Sequence, residues 1–492
     1  MKTKYFILAA AAAIFAACSS DDGLAPEQQP NVQTGQVPVA FDSYVNRGTT
    51  RAGQSGEMNL DNLKTATAGF GVFAYYTNNE AYDQIFTPNF MYNQGVIWDD
   101  TNSKWGYTPI KYWPNEYSDA QADENDKISF FAYAPYVKST TTGKPIDTDG
   151  TTPLDATKGI AGFSRNTATG DPLVKYIATG NIADQVDLLW GVCPETGSGK
   201  FEWPLHTTSG ATVTQTLEVG KPLLNIQHPK NMTTGTGAQL LKFNFLHALA
   251  GLQVTVQTSA DVTTTANTAD PEAKTKVFIR SIKFTGMTTK GSLNLNNTIA
   301  AKAVWLDFAG INDMESGQSI TWFDGRKDGA EGTTTASNEK IKFLNPALIQ
   351  TGVWEIPSGT DPDPGVNGTK QYLFSKITDA TTTPVTIGAA TASDYVYVIP
   401  TGDDVICTIE YDVLTEDDML PGFLNDNKTH GSVVKNVITK EIKLSDATTM
   451  KLENGKKYTI NLYLGLKSVT FDAAVAGWET GSTGSGELPA NP

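Results

Sequence analysis

Four histidines, His206, His228, His247 and His430, are the first residues to test for chemistry. None stands at metal-ligand spacing from another His or Cys. His247 lies inside the apolar run LKFNFLHALAGLQVTVQ (241–257), where a hydrogen-bonded core side chain is the expectation. TGSGK at 196–200 ends like a phosphate loop. However, Phe201 follows Lys200 where Ser or Thr is needed, and the upstream Gly191 is too far away, so the segment reads as a glycine-rich turn. No GxSxG nucleophile elbow occurs. The acidic pairs Asp99/Asp100 and Asp417/Asp418 sit in turn-like contexts and read as solvated loops. Nothing points to the paired carboxylates that a secreted glycosidase would need. No catalytic residue, metal ligand or cofactor is therefore expected, and the protein is expected not to be an enzyme.

Two other places invite chemistry done by outside enzymes. Lys2 and Lys4 precede the short apolar stretch Tyr5 to Ala17, and the small residues Ala16 and Ala17 stand directly before Cys18. The stretch is too short for a permanent membrane helix, and it reads as a secretory signal with a cysteine at its cleavage point. It resembles a bacterial lipoprotein signal, so lipidation of Cys18 is expected, with a tie to the outer membrane. Ser19, Ser20, Asp21 and Asp22 follow, an acidic run like the surface-export tag of some lipoproteins. The second place is NRGTTRAGQSGEMNLDNLK (46–64), a polar stretch with two arginines, Arg47 and Arg51, which reads as an exposed, trypsin-sensitive loop.

The elements that would position these features are strands. Val37, Val39 and Phe41 alternate with Pro38, Ala40 and Asp42, a strand signal in which Pro38 favours an edge. Further strands are expected at 69–77, 93–100, 127–136, 186–192, 241–257, 276–286, 394–402, 405–414, 433–444 and 456–466. Each is rich in Val, Ile, Phe and Tyr and is bounded by turn residues. FLHALAGL (245–252) has mixed character and could hold one helical turn; no long amphipathic helix is read anywhere. The Thr/Ala/Gly/Asp-rich segments 138–185, 258–275, 308–340 and 355–390 read as long connections.

The C-terminal segment SVTFDAAVAGW (468–478) has period two: Val469, Phe471, Ala473 and Val475 share one face. Such a strand can close its own domain or be donated to a neighbour, and both uses need the same pattern.

Length and composition frame these elements. A chain of 492 residues makes two domains the prior, and the break near Gly235-Thr236-Gly237 is the expected boundary. The organisation expected is a signal peptide (1–17), a flexible tether (18–36), an N-terminal β-sandwich (37–237), a C-terminal β-sandwich (238–478) and a flexible tail (479–492). Charged residues are only 18% and aromatics 10%, an all-β, extracellular-looking balance. The formal charge of -16, without a basic cluster, argues against nucleic acid and against electrostatic docking to anionic lipid. Only Cys193 and Cys407 follow Cys18, and two small buried side chains are expected there rather than a disulfide framework.

The order of segments resembles the fimbrillin family, the Mfa-like or type V pilins. The matching pieces are Ala16-Ala17-Cys18, VAFDSYVNRGTTRA (39–52), LKTATAGFGVFAYYT (63–77), IKYWP (110–114) and ISFFAYAPY (128–136). They continue with DLLWG (187–191), LKFNFLHALAGLQVTV (241–256), YVIP (397–400), NGKKYTINLYLGL (454–466) and VAGW (475–478). The tail beyond Trp478 departs from that pattern. The resemblance implies two tandem transthyretin-like β-sandwich domains and a structural or adhesive subunit (stalk, tip or accessory) of cell-surface fimbriae. It also implies assembly: a protease cuts after an arginine behind the first strand, and a strand from another subunit fills the groove left behind. The family pattern points to Arg51 of Thr50-Arg51-Ala52 first, then Arg47. The partners implied are other fimbrial subunits, the outer membrane through lipid on Cys18, and surface glycans or proteins. The alternative is a monomeric glycan-binding surface lipoprotein, with Trp98, Trp105, Trp113 and Trp203 stacking on sugar rings.

Overall fold

The structure is a computed structural model. It describes residues 38–45, 58–65, 68–114, 126–146, 157–179, 185–195, 200–205, 213–227, 240–258, 275–306, 318–324, 373–375, 385–387, 395–400, 405–417, 432–443, 452–464, 469–477 and 483–484. Cys18, Arg47, Arg51, the signal, the tether, the composition break and most of the tail lie outside these residues.

The chain is all-β. In the first half the strands are β1 (Phe41–Val45), β2 (Phe70–Asn78), β3 (Met91–Asp99), β4 (Lys104–Gly106), β5 (Lys127–Ala134), β6 (Gly159–Phe163), β7 (Leu173–Ile177), β8 (Leu189–Val192), β9 (Phe201–Leu205), β10 (Val213–Leu217), β11 (Leu223–Gln227) and β12 (Leu241–His247). In the second they are β13 (Ala250–Thr258), β14 (Thr275–Met287), β15 (Lys290–Asn294), β16 (Val304–Leu306), β17 (Gln318–Asp324), β18 (Leu373–Ser375), β19 (Val385–Ile387), β20 (Val396–Val398), β21 (Ile406–Asp417), β22 (Ser432–Lys443), β23 (Lys456–Leu464), β24 (Val469–Gly477) and β25 (Thr483–Gly484). The single helix among the described residues, α1 (Leu60–Leu63), is capped by Asn59, whose side chain accepts from the Asn62 amide.

The first sheet runs β1-β12-β8-β5-β2-β3-β4, with β11 on β5. Its central strands are buried on both faces, which is why β2 and β5 read as unbroken apolar runs. Phe70, Val72 and Ala74 of β2 join Ile128, Phe130 and Ala132 of β5 in one core, with Trp105, Trp113 and Trp203. Phe73 and Tyr75, with Phe131 and Tyr133, face a second core. That core is closed by the sheet β16-β15-β7-β6 through Phe163, Val174, Tyr176 and Leu293. The remaining large sheets are β19-β13-β23-β24-β25, with β20 on β13, and β17-β14-β21-β22, with β18 on β14.

Three expectations need correction. Residues 241–257 are two strands, not one: the chain breaks at the fully buried Ala248 and Leu249, without a helical turn, and passes from the first sheet to another. Segment 138–185 contains β6 and β7, short strands whose Gly159 and Gly162 interrupt the apolar pattern. Strands also occur inside 308–340 (β17) and 355–390 (β18 and β19). The expected boundary near 235–237 lies outside the described residues; β12 pairs with β8, and β15 with β7. Cys193 and Cys407 are buried and free, as expected.

Candidate assembly edge

The first strand occupies the end of the first sheet. Val39, Phe41 and Ser43 are buried, whereas Pro38, Ala40 and Asp42 are half-buried, the alternation that the sequence carries. Among the described residues the regular ladder starts at Phe41, and it is parallel: Phe41 faces Leu241 and Val45 faces Phe245. Pro38 makes only an isolated bridge to Tyr112. A proline has no amide to continue a ladder there. The Val39 amide donates to the Lys111 carbonyl at 2.9 Å, and the Leu241 amide donates to the Ala40 carbonyl at 2.9 Å. Segment 38–45 thus ties the end of the β4 region to β12.

Phe41 fills an aromatic pocket. Its ring stacks on Phe243 of β12 (centroids 6.1 Å apart, planes at 20°) and meets Phe70, Phe130 and Tyr107 edge-on at 6.2, 6.1 and 5.5 Å. Gly191 of β8 makes room for the floor of this pocket: a Cβ there would stand 2.9 Å from Phe243 Cδ1. Tyr107 closes the other side, its hydroxyl donating to the Val39 carbonyl at 2.7 Å. Burial pushes the Tyr107 phenol well above its ordinary value, so it remains a donor. A pocket filled by one short strand, held by one ladder, an isolated bridge and one phenol, suits recognition of an extended peptide.

The other end of the chain is placed differently. β24, which carries Val469, Phe471, Ala473 and Val475, pairs antiparallel with β23 along its whole length, from Lys456↔Gly477 to Leu464↔Val469. On its outer side β25 pairs only with Val475 and Ala476 among the described residues.

The four tryptophans do not form a platform. Trp105, Trp113 and Trp203 are buried. Trp98 packs edge-on against Trp105, and Lys64 Nζ sits 4.1 Å over its ring. His247 is a buried, hydrogen-bonded residue, with Nδ1 2.9 Å from Asp187 Oδ2. Among the described residues, no group of three His, Cys, Asp or Glu could hold a metal ion, and no helix is long and apolar enough to cross a membrane. Sequence reasoning missed Tyr107, Phe243 and Asp187. The first two looked like ordinary aromatics, and Asp187 looked like one polar residue at the start of VDLLWGV.

Fold and edge together define an all-β protein whose first strand is an end piece seated in an aromatic pocket. Comparison with known proteins gives that class a context. Over 142 residues the chain is 34% identical to fimbrium subunit Fim1C of Phocaeicola vulgatus, a match that takes 28% of this chain and 31% of that protein's length. Its fold is similar to the crystal structure of a fimbrial protein from Bacteroides vulgatus, with TM-score 0.51 and 19% identity over 90% of this chain and 99% of that one. No family profile matches the chain. The likeness to fimbrial subunits read from the ordered motifs is thus found in a curated homologue, and the all-β architecture in a solved fimbrial protein.

Proposed function

We propose that this protein is a structural or adhesive subunit (stalk, tip or accessory) of cell-surface fimbriae, without catalysis, assembled by loss of its first strand and entry of a strand from another subunit. The observation that carries this reading is the seat of β1. It lies at the sheet edge, it presents alternate side chains to a deep pocket, and Arg47 and Arg51 follow within six residues of Val45. Cleavage after Arg51, or after Arg47, would cut β1 from the body while leaving every other strand of the sheet covalently in place. The vacated edge would expose the β12 backbone and the Phe70, Phe130 and Phe243 rings, each worth roughly 1.5–3 kcal/mol when reburied. An incoming strand with alternate apolar residues satisfies both, and Val469, Phe471, Ala473 and Val475 supply that pattern within this chain.

In the same reading, lipid on Cys18 carries the precursor to the outer membrane, and the partners are other fimbrial subunits. A glycan-binding monomer finds less support, because the tryptophans it needs are packed inside or covered. Brief trypsin treatment of the folded precursor, followed by N-terminal sequencing and an unheated denaturing gel, tests the proposal. A new end at Ala52 or Gly48 and a ladder of oligomers are expected. Protection of both bonds, or a cut protein that stays monomeric, overturns it.

A further inference from the structure

The chain leaves β1 and returns to the body at one end of the same sheet. Val45 is in register with Phe245, two residues before His247. After residues 46–57 the next described residue is Met58, whose amide donates to Asp187 Oδ2 at 2.8 Å. The same oxygen lies 2.9 Å from His247 Nδ1. A carboxylate oxygen only accepts, so Nδ1 carries the hydrogen. Asp187 is fully buried and His247 is 2% exposed, and Asp187 Oδ1 has no hydrogen-bond partner among the described residues. One buried oxygen therefore joins three parts of the fold: the approach to β8, two residues before Leu189, the end of β12, and the start of the chain that follows residues 46–57. Met58 itself is buried, and α1 behind it ends in the fully buried Leu63.

We propose that Asp187 and His247 form a clamp on Met58 that keeps the body-side end of the chain docked when residues 46–57 are cut, so that β1 alone departs. The inference rests on the strand-release reading above. Its physical basis is an asymmetry. β1 is held by one short edge ladder, the Lys111 carbonyl, the Tyr107 hydroxyl and side-chain packing, all acting on a segment that cleavage makes a separate chain. Met58 is held by a hydrogen bond to a buried carboxylate, which is stronger than a neutral one and costly to break without water. With the clamp closed, α1 stays seated, the new N-terminus does not swing into the vacated pocket, and the β12 edge keeps the register an incoming strand needs. Asp187 and His247 act here as positioning residues.

Amide hydrogen exchange on the uncut and the trypsin-cut full-length protein tests the clamp, after the released fragment is removed. Leu241, whose amide bonds to Ala40, reports β1. Met58 and Leu63 report the clamped end. Departure of β1 should lower Leu241 protection by about a hundredfold or more, while Met58 and Leu63 change by less than about threefold. Loss of protection at Met58 in step with Leu241 overturns the clamp. Unchanged protection at Leu241 overturns strand release itself, and the clamp with it. In cut Asp187→Ala protein, Met58 should exchange about ten- to a hundredfold faster than in the cut parent, and Asp187→Asn, which keeps an acceptor oxygen, should restore part of the difference. Equal exchange in Asp187→Ala and the parent overturns the clamp; should Asp187→Ala not fold, the comparison on the parent protein decides.

Discussion

Phe41 lies nearly parallel to Phe243, ring on ring, and this contact joins two strands that are adjacent in the sheet but far apart in the chain. Because the pair holds β1 against β12, it makes the stability of the uncut protein depend on β1; under the strand-release proposal the cut protein loses that dependence.

Phe41→Ala empties the centre of the pocket. Truncating a buried Phe costs about 3–5 kcal/mol. The variant precursor should melt clearly lower than the parent precursor, whereas the two proteins should melt alike once cut and freed of β1. Thermal melts of all four samples check this; equal melting of the two precursors would show that Phe41 does not hold the strand.

Deletion of 467–492 removes β24 and with it the ladder on β23. The expected result is a melting temperature lower by roughly 10 °C or more, or outright misfolding. Near-normal melting, with loss only of the ability to act as a donor in assembly, would instead identify the segment as one that detaches readily.

Cys18→Ala should shift the protein out of the outer-membrane fraction. Membrane fractionation of the two proteins, expressed at equal level, measures this. Unchanged fractionation would mean that something other than a lipid on Cys18 retains the chain.

Alkali should destabilise the fold through the two buried thiols of Cys193 and Cys407. Burial pushes Cys193 and Cys407 from an ordinary 9.0 up to about 12. An acid whose folded value is raised contributes its stability below the unfolded value, and that contribution drains away as pH climbs towards the folded value. Denaturant midpoints should therefore fall between pH 9 and 12, and the slope should be shallower in a Cys193→Ala, Cys407→Ala protein. Buried phenols such as Tyr133, also raised by burial, add to the slope in both proteins. A flat profile in the parent protein would contradict this account.

The local pattern of the chain already determined much of this. The Val-, Ile-, Phe- and Tyr-rich runs at 70–76 and 128–134 announced strands, and the alternation Val39-Ala40-Phe41-Asp42 behind Pro38 announced a strand favouring an edge; that the former are buried on both faces came with the structure. The order of such segments was enough to suggest a fimbrial relative. Short strands broken by glycine, as at Gly159–Phe163, carried too few apolar residues to stand out from their loops.

What only the tertiary structure decided is which strands meet. The mixed character of 245–252 hints at an interruption, but nothing in 241–257 says that β12 ends in one sheet and β13 begins in another, because the side-chain pattern is strand-like on both sides. Nothing in Asp187 foretells that its carboxylate would reach Met58, 129 positions earlier, and His247, 60 positions later. The reason is physical. Alternation is local and records only which face of a strand is buried. A partner is chosen by global closure, whose entropy cost changes only slowly with the length of chain between the two strands, so separation along the sequence carries almost no information about the neighbour.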